Sequence, residues 1–174
     1  MSDHVASAVD VSTAFDLGPV DQIGFAVADL DASLPVYAAV FGPFTRRAST
    51  FSPDRVQHHG QPSSATLELA FARSGDVEIE LVQVTDGDAP AAEHVRAHGE
   101  GLHHVRFTVD DVDAKRALME AAGFTTVLAG TSPRGSRFVY LERPDQLGHT
   151  QIELLQEPPH DLPHHPPAHD SQGE

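Results

Sequence analysis

An internal repeat constrains this chain more than any other feature. Asp21-Gln-Ile-Gly-Phe-Ala-Val-Ala-Asp-Leu-Asp-Ala32 aligns without a gap on His103-His-Val-Arg-Phe-Thr-Val-Asp-Asp-Val-Asp-Ala114, with Phe, Val, Asp, Asp and Ala recurring in register. One supersecondary unit is therefore used twice, and the two copies share a core. Each copy opens with alternating apolar residues, the period of a strand. A helix is expected next in each, over Ala32 to Phe41 and Ala114 to Ala122. Asp31 and Asp113 are the expected N-caps, and Gly42 and Gly123 the stops. Strands follow at Thr66 to Arg73 and Val77 to Thr85, joined as a hairpin across Ser74-Gly75-Asp76, and again at Arg137 to Glu142 and Thr150 to Gln156. The closing strands match as well: Ile79-Glu80-Leu81-Val82-Gln83 against Ile152-Glu153-Leu154-Leu155-Gln156. The expected class is α+β, built from two βαβββ modules.

Module one spans residues 19–86 and module two residues 100–156, within one domain of residues 19–156. Residues 1–18 and the Pro/His-rich stretch 157–174 carry no pattern that buries apolar surface, and both are expected to be disordered tails. Module one holds an insert, roughly Thr45 to Ala65, rich in Ser, Pro, His and Gly. Such an insert either shapes substrate access or is a surface loop. With 26 acidic against 11 basic residues the net charge is −15, a field that repels nucleic acid and anionic membranes. No apolar run reaches the ~18–20 residues of a membrane span. The absence of cysteine excludes disulfides and thiolate metal ligands. The first residues lack the order of a secretory signal, so the expected location is the cytoplasm.

The repeat singles out four polar residues at equivalent points: Gln22 and His104 on the opening strands, Glu80 and Glu153 on the closing ones. Each interrupts a run of Val, Ile, Leu and Phe. A buried lone carboxylate costs several kcal/mol, on the order of the penalty for any unpaired charge, unless a partner or cation offsets it. Two glutamates at one site repel each other, and a divalent metal removes that penalty. An imidazole, two carboxylates and an amide oxygen suit Zn, Ni, Co, Mn or Fe(II). Glu78 shares a period-two face with Glu80, so alternation alone does not bury Glu80. His103 falls opposite Asp21 in the repeat and is expected on the other face from His104.

These residues resemble the vicinal oxygen chelate superfamily, which includes glyoxalase I, methylmalonyl-CoA epimerase, extradiol dioxygenases and bleomycin-resistance proteins. The resemblance runs from about Gly18 to Gln156 and rests on four stretches: Gln22 to Asp31 with Phe41-Gly42, Gly75 to Gln83, Gly101 to Val105, and Gly148 to Gln156. It implies a curled mixed sheet around a metal pocket, the glyoxalase-like fold, with one divalent ion held by Gln22, Glu80, His104 and Glu153. The Gln/Glu/His/Glu set resembles that of one class of glyoxalase I. Gln22 replaces the histidine that an Fe(II) dioxygenase triad requires, and Arg47 stands about where epimerases place a catalytic glutamate.

The chemistry implied is metal-assisted proton transfer next to a carbonyl of a small organic substrate, a thioester or 2-oxo compound, as an isomerase, epimerase or lyase. Glu153 is the expected base, with Glu80 as the alternative. Arg137 and Arg47, and Arg46 beside it, are expected to bind an anionic substrate group. The competing reading is a non-catalytic protein that sequesters a drug or metabolite. The family implies a homodimer.

Overall fold

The computed structural model describes residues 15–143 and 145–159. The first strand, β1 (Gln22–Ala26), leads into α1 (Leu30–Phe41), followed by β2 (Thr45–Thr50), β3 (Val56–His58), β4 (Gln61–Pro62), β5 (Thr66–Ser74) and β6 (Val77–Asp86). A helix, α2 (Pro90–His98), links to the second copy: β7 (Gly101–Thr108), α3 (Val112–Ala121), β8 (Thr125–Thr131), β9 (Arg137–Glu142) and β10 (Gln151–Gln156). The strands form one mixed sheet in the order β2-β5-β6-β1-β7-β10-β9-β8-β3-β4.

The repeat is reproduced in register. In module one Gln22 lies opposite Glu78 and Gly24 opposite Glu80, across parallel strands β1 and β6. In module two His104 lies opposite Gln151 and Arg106 opposite Glu153, across parallel strands β7 and β10. The modules meet where β1 runs antiparallel to β7, pairing Gln22 with Arg106 and Gly24 with His104. This local two-fold brings both opening strands to the centre of the sheet and flanks each with its closing strand.

The insert in module one is neither a plain loop nor confined to its own module. It supplies β2 at one edge, then crosses to the far edge, where β3 pairs with β8. Five residues, 51–55, join β2 to β3. Extended, they reach no more than about 20 Å. Eight strand spacings of a flat sheet would need roughly 38 Å. The sheet must therefore curl, and Phe51 from this connection stacks 6.4 Å from Phe138 of β9.

Curling creates an outer and an inner face. On the outer face α1 covers Leu81 and Ala70, and α3 covers Leu141, Ile152 and Leu154. On the inner face α2, which the sequence reading did not assign, packs Ala91 and Val95 against Ala26, Leu67, Leu69 and Val82. α2 thus closes part of the inner space near the end of β1.

Two boundaries differ from expectation. Both α1 and α3 begin two residues early, because the first aspartate of each pair is the cap: Asp29 accepts from the N–H groups of Asp31 and Ala32, and Asp111 from that of Ala114. Asp31 and Asp113 instead lie in the first turn, where they meet the positive end of the helix dipole and pair with Arg46 at 2.5 Å and Arg137 at 2.7 Å. The domain also starts before residue 19. Phe15 and Leu17 pack on the module-two core, Phe15 meets Phe124 edge-on at 5.8 Å, and Lys115 donates to the carbonyls of Phe15 and Asp16. Residues 1–14 and 160–174, including the tail histidines, lie outside the described residues.

Candidate metal centre

Gln22, Glu80, His104 and Glu153 come together on the inner face. Their exposures are 2%, 8%, 0% and 7%, so a strand pattern that looked half-wet is dry at these four positions. His104 Nε2 is the focus: Gln22 Oε1 lies 3.0 Å away, and Glu80 Oε2 and Glu153 Oε2 each lie 3.3 Å away. One ring nitrogen carries at most one hydrogen and cannot serve three oxygens. Glu153 Oε2 is left buried with no hydrogen-bond partner. Around a divalent cation with bonds of about 2.1 Å, neighbouring ligands sit about 3.0 Å apart in octahedral and about 3.4 Å in tetrahedral geometry. The spacings about Nε2 fall in that range. The donor set and the orphaned carboxylate oxygen fit a divalent ion.

Gly24 makes the convergence sterically feasible. It is opposite both Glu80 and His104, and a Cβ at this position would overlap the His104 ring. A glycine inside an apolar strand is a known sign of such close approach.

A network of polar residues orients the four. Gln22 Nε2 donates to Glu78 Oε1 at 2.7 Å, which turns Gln22 Oε1 toward His104. Glu78 is held in turn by Arg106, whose Nε donates to Asp21 at 2.6 Å. On the other side Tyr140 lies directly opposite Glu153 in the β9–β10 ladder. Burial first, then the charges of Glu153 and Glu80, pushes the Tyr140 hydroxyl well above its ordinary range, so it stays protonated. Burial also raises the Glu153 carboxyl, against the opposing pull of His104 and Arg106.

His103 is not on the opposite face. The β1–β7 pairing slips between Gly24 and Phe25, so that Gly24 faces His104 while Phe25 faces Leu102. His103 is the extra residue of a bulge, which suspends the alternation that placed it elsewhere. It is 2% exposed, with its Nδ1 2.9 Å from Nδ1 of His104. Burial, then the neighbouring His104 and His94, holds the His103 ring well below its ordinary range, so it is neutral. The His104 tautomer with its hydrogen on Nδ1 donates to His103 and leaves Nε2 free to ligate a cation, a common device for fixing a ligand tautomer.

The two arginines expected to bind substrate part company. Arg137 alternates with Phe138 and Tyr140, so it points to the outer face, where Asp113 holds it. It is not brought to the quartet. Arg47 lies on the inner face: its guanidinium sits 4.9 Å over the ring of Phe71, which is opposite Glu80 in the β5–β6 ladder. Arg46, one residue away, turns outward to Asp31. Glu78, Arg106, Tyr140 and Gly24 were not singled out by sequence reasoning. The repeat contained a signal for Glu78, since Gln151 occupies the matching place beside His104.

Residues 21–140 match the glyoxalase/bleomycin resistance protein/dioxygenase superfamily. The Bacillus subtilis protein YwbC, itself uncharacterized, is 31% identical over 131 residues, covering 72% of this chain and 90% of its own. Among solved structures, methylmalonyl-CoA epimerase from Mycobacterium tuberculosis shares the fold at TM-score 0.54 and 24% identity, over 80% of this chain and 88% of that one. A Streptomyces coelicolor methylmalonyl-CoA epimerase in complex with 2-nitronate-propionyl-CoA aligns at TM-score 0.51 and 26% identity, over 80% of this chain and 97% of that one. No helix among the described residues is long and apolar enough to cross a membrane. With the superfamily match covering module one and most of module two, the chain belongs to the glyoxalase/bleomycin resistance protein/dioxygenase superfamily.

Proposed function

We propose that this chain is a metal-dependent isomerase, epimerase or lyase that moves a proton at the carbon next to a carbonyl of a small thioester or 2-oxo substrate. The observation that carries the reading is the meeting of Gln22, Glu80 and Glu153 oxygens at His104 Nε2 in a dry site. These four residues would hold one divalent ion of the Zn, Ni, Co, Mn or Fe(II) group. When bound, the ion supplies Lewis-acid polarisation of the substrate oxygen.

The chain's own residues do the rest. Glu153 takes the proton from carbon and returns it. Glu80 is the second carboxylate and the alternative base. Arg47, braced on Phe71 along the same face, receives an anionic part of the substrate. The kinship with methylmalonyl-CoA epimerases points to acyl-CoA thioesters as the first substrates to try. We further propose that the chain is cytoplasmic and, by analogy with the superfamily, a homodimer.

The test is deuterium wash-in. Protein loaded in turn with Zn, Ni, Co, Mn and Fe(II) is incubated in D2O with methylmalonyl-CoA, related thioesters and 2-oxo thiohemiacetals. Exchange of the α-hydrogen, reduced about 10²- to 10⁴-fold in Glu153→Gln, supports the assignment. No exchange with any metal across both substrate classes would sink it and leave sequestration of a ligand as the reading to pursue.

A further inference from the structure

The insert brings a second group of metal-binding side chains together, away from the central quartet. β3 and β4 are joined by a two-residue turn, His59-Gly60, with φ of 48° and 74°. Positive φ at both turn residues is the hairpin geometry that matches strand twist, and histidine tolerates it better than most residues. The turn places the rings of His58 and His59 side by side, 4.4 Å between centroids, against Glu93 on α2.

His59 Nε2 lies 3.0 Å from Glu93 Oε2 and 3.2 Å from Oε1, and His58 Nε2 lies 3.4 Å from the same Oε2. The three donor atoms all lie within 4.8 Å of one another. His58 is only 8% exposed, yet its Nε2 is buried without a hydrogen-bond partner, and it faces Glu93. One carboxylate oxygen is thus approached by two imidazole nitrogens, one of them unsatisfied. A cation among them would satisfy all three.

We propose that His58, His59 and Glu93 form a second divalent-metal site, distinct from the central one, that clasps the β3–β4 hairpin to α2. Two imidazoles and a carboxylate are a zinc-type donor set with room for water at the remaining position. The clasp has a structural meaning. β3 closes the far edge of the sheet on β8, while α2 sits on the inner face, so an ion here ties the insert to the inter-module helix. His59 is half exposed, which leaves the site open to exchange with solvent ions. None of its three residues belongs to the central quartet, so the two sites can be tested separately.

The chain contains no cysteine, and this gives a specific probe. In the full chain carrying His104→Ala to disable the central site, Glu93→Cys is titrated with Co²⁺. The expected result is a thiolate-to-cobalt charge-transfer band that saturates at one ion per chain and is lost when His58→Ala and His59→Ala are added. No band, or a band that survives loss of both histidines, would overturn the clasp. Circular dichroism checks that the cysteine chain is folded. If it is not, zinc retained after dialysis is compared between His104→Ala and His104→Ala/His59→Ala. A fall of about one ion per chain supports the site; equal zinc contents refute it. Because both arms lack His104, failure here leaves the proposed proton transfer untouched.

Discussion

Gly24 lies directly against the imidazole of His104, and no other residue type leaves room for that ring. Gly24→Ala should therefore push His104 aside or force the β1–β7 pair apart. Overpacking of this kind costs about 1–3 kcal/mol. The larger effect should be on the metal, with affinity falling about 10- to 100-fold as the ring leaves its position. Urea unfolding and zinc titration of the same samples separate the two. With His104→Ala as the control for the central site, an alanine variant that binds zinc there as wild type does would show that Gly24 is not needed to seat the His104 ring.

Glu78 acts on the site through Gln22. With its carboxylate gone, the Gln22 amide is free to turn its nitrogen toward His104, and an NH2 group cannot ligate a cation. Glu78→Ala is expected to weaken metal binding about tenfold. Stability of the metal-free protein should change little, because Glu78 is only partly buried and its loss also releases Arg106 to Asp21 alone. A normal metal affinity in Glu78→Ala would mean that the Gln22 amide needs no external restraint.

The quartet was legible in the sequence because the repeat recorded it twice. Gln22 and His104 share one place in the module, Glu80 and Glu153 another, and an alignment without structure could pair them. What it could not show were features that one module does not repeat. The bulge at His103 breaks the period-two rule by one residue, and nothing in Leu-His-His-Val marks where the slip occurs. β3 finds its partner β8 across about 70 residues of chain, a pairing with no local signature. α2 lies between the modules, so no second copy exists to confirm it. The helix caps were misplaced by two residues because each start offers two aspartates, and only the geometry shows which one accepts the free N–H groups.

Arg137 and Arg47 make opposite predictions. Arg137 serves Asp113 at the start of α3, where its hydrogen bond holds the Asp113 carboxyl below its ordinary range. A depressed folded-state pKa means stability present above the ordinary carboxylate pKa of about 3.9 and lost as pH falls through the folded value. Both groups are largely exposed, so the contribution is below about 1 kcal/mol. Arg137→Ala should return Asp113 to ordinary titration by NMR and lower the urea midpoint slightly near neutrality, but not in strong acid. Its substrate affinity should match wild type. Arg47→Ala should instead weaken an anionic substrate by about tenfold with kcat less affected, the pattern of lost uniform binding. The reverse outcome would place the anion on the outer face, beside α3.

Glu153 carries the clearest conflict between stability and function. Its Oε2 is buried and unpartnered, and its carboxyl is raised by burial. In the metal-free protein that group is a standing cost. Glu153→Gln keeps the shape and removes the charge. The metal-stripped variant should therefore be more stable than metal-stripped wild type, by about 1–3 kcal/mol, the range for relieving an unsatisfied buried polar group. Glu80→Gln should gain less, since no Glu80 atom is both fully buried and without a partner. When zinc is added the order should invert. Wild type gains stability by mass action in proportion to its tighter binding, and the variant gains less. Thermal melts of both proteins with chelator and with excess zinc decide the matter. If Glu153→Gln is destabilised under chelator, the carboxylate is satisfied in the folded protein, and the principal reason for placing a cation beside it disappears.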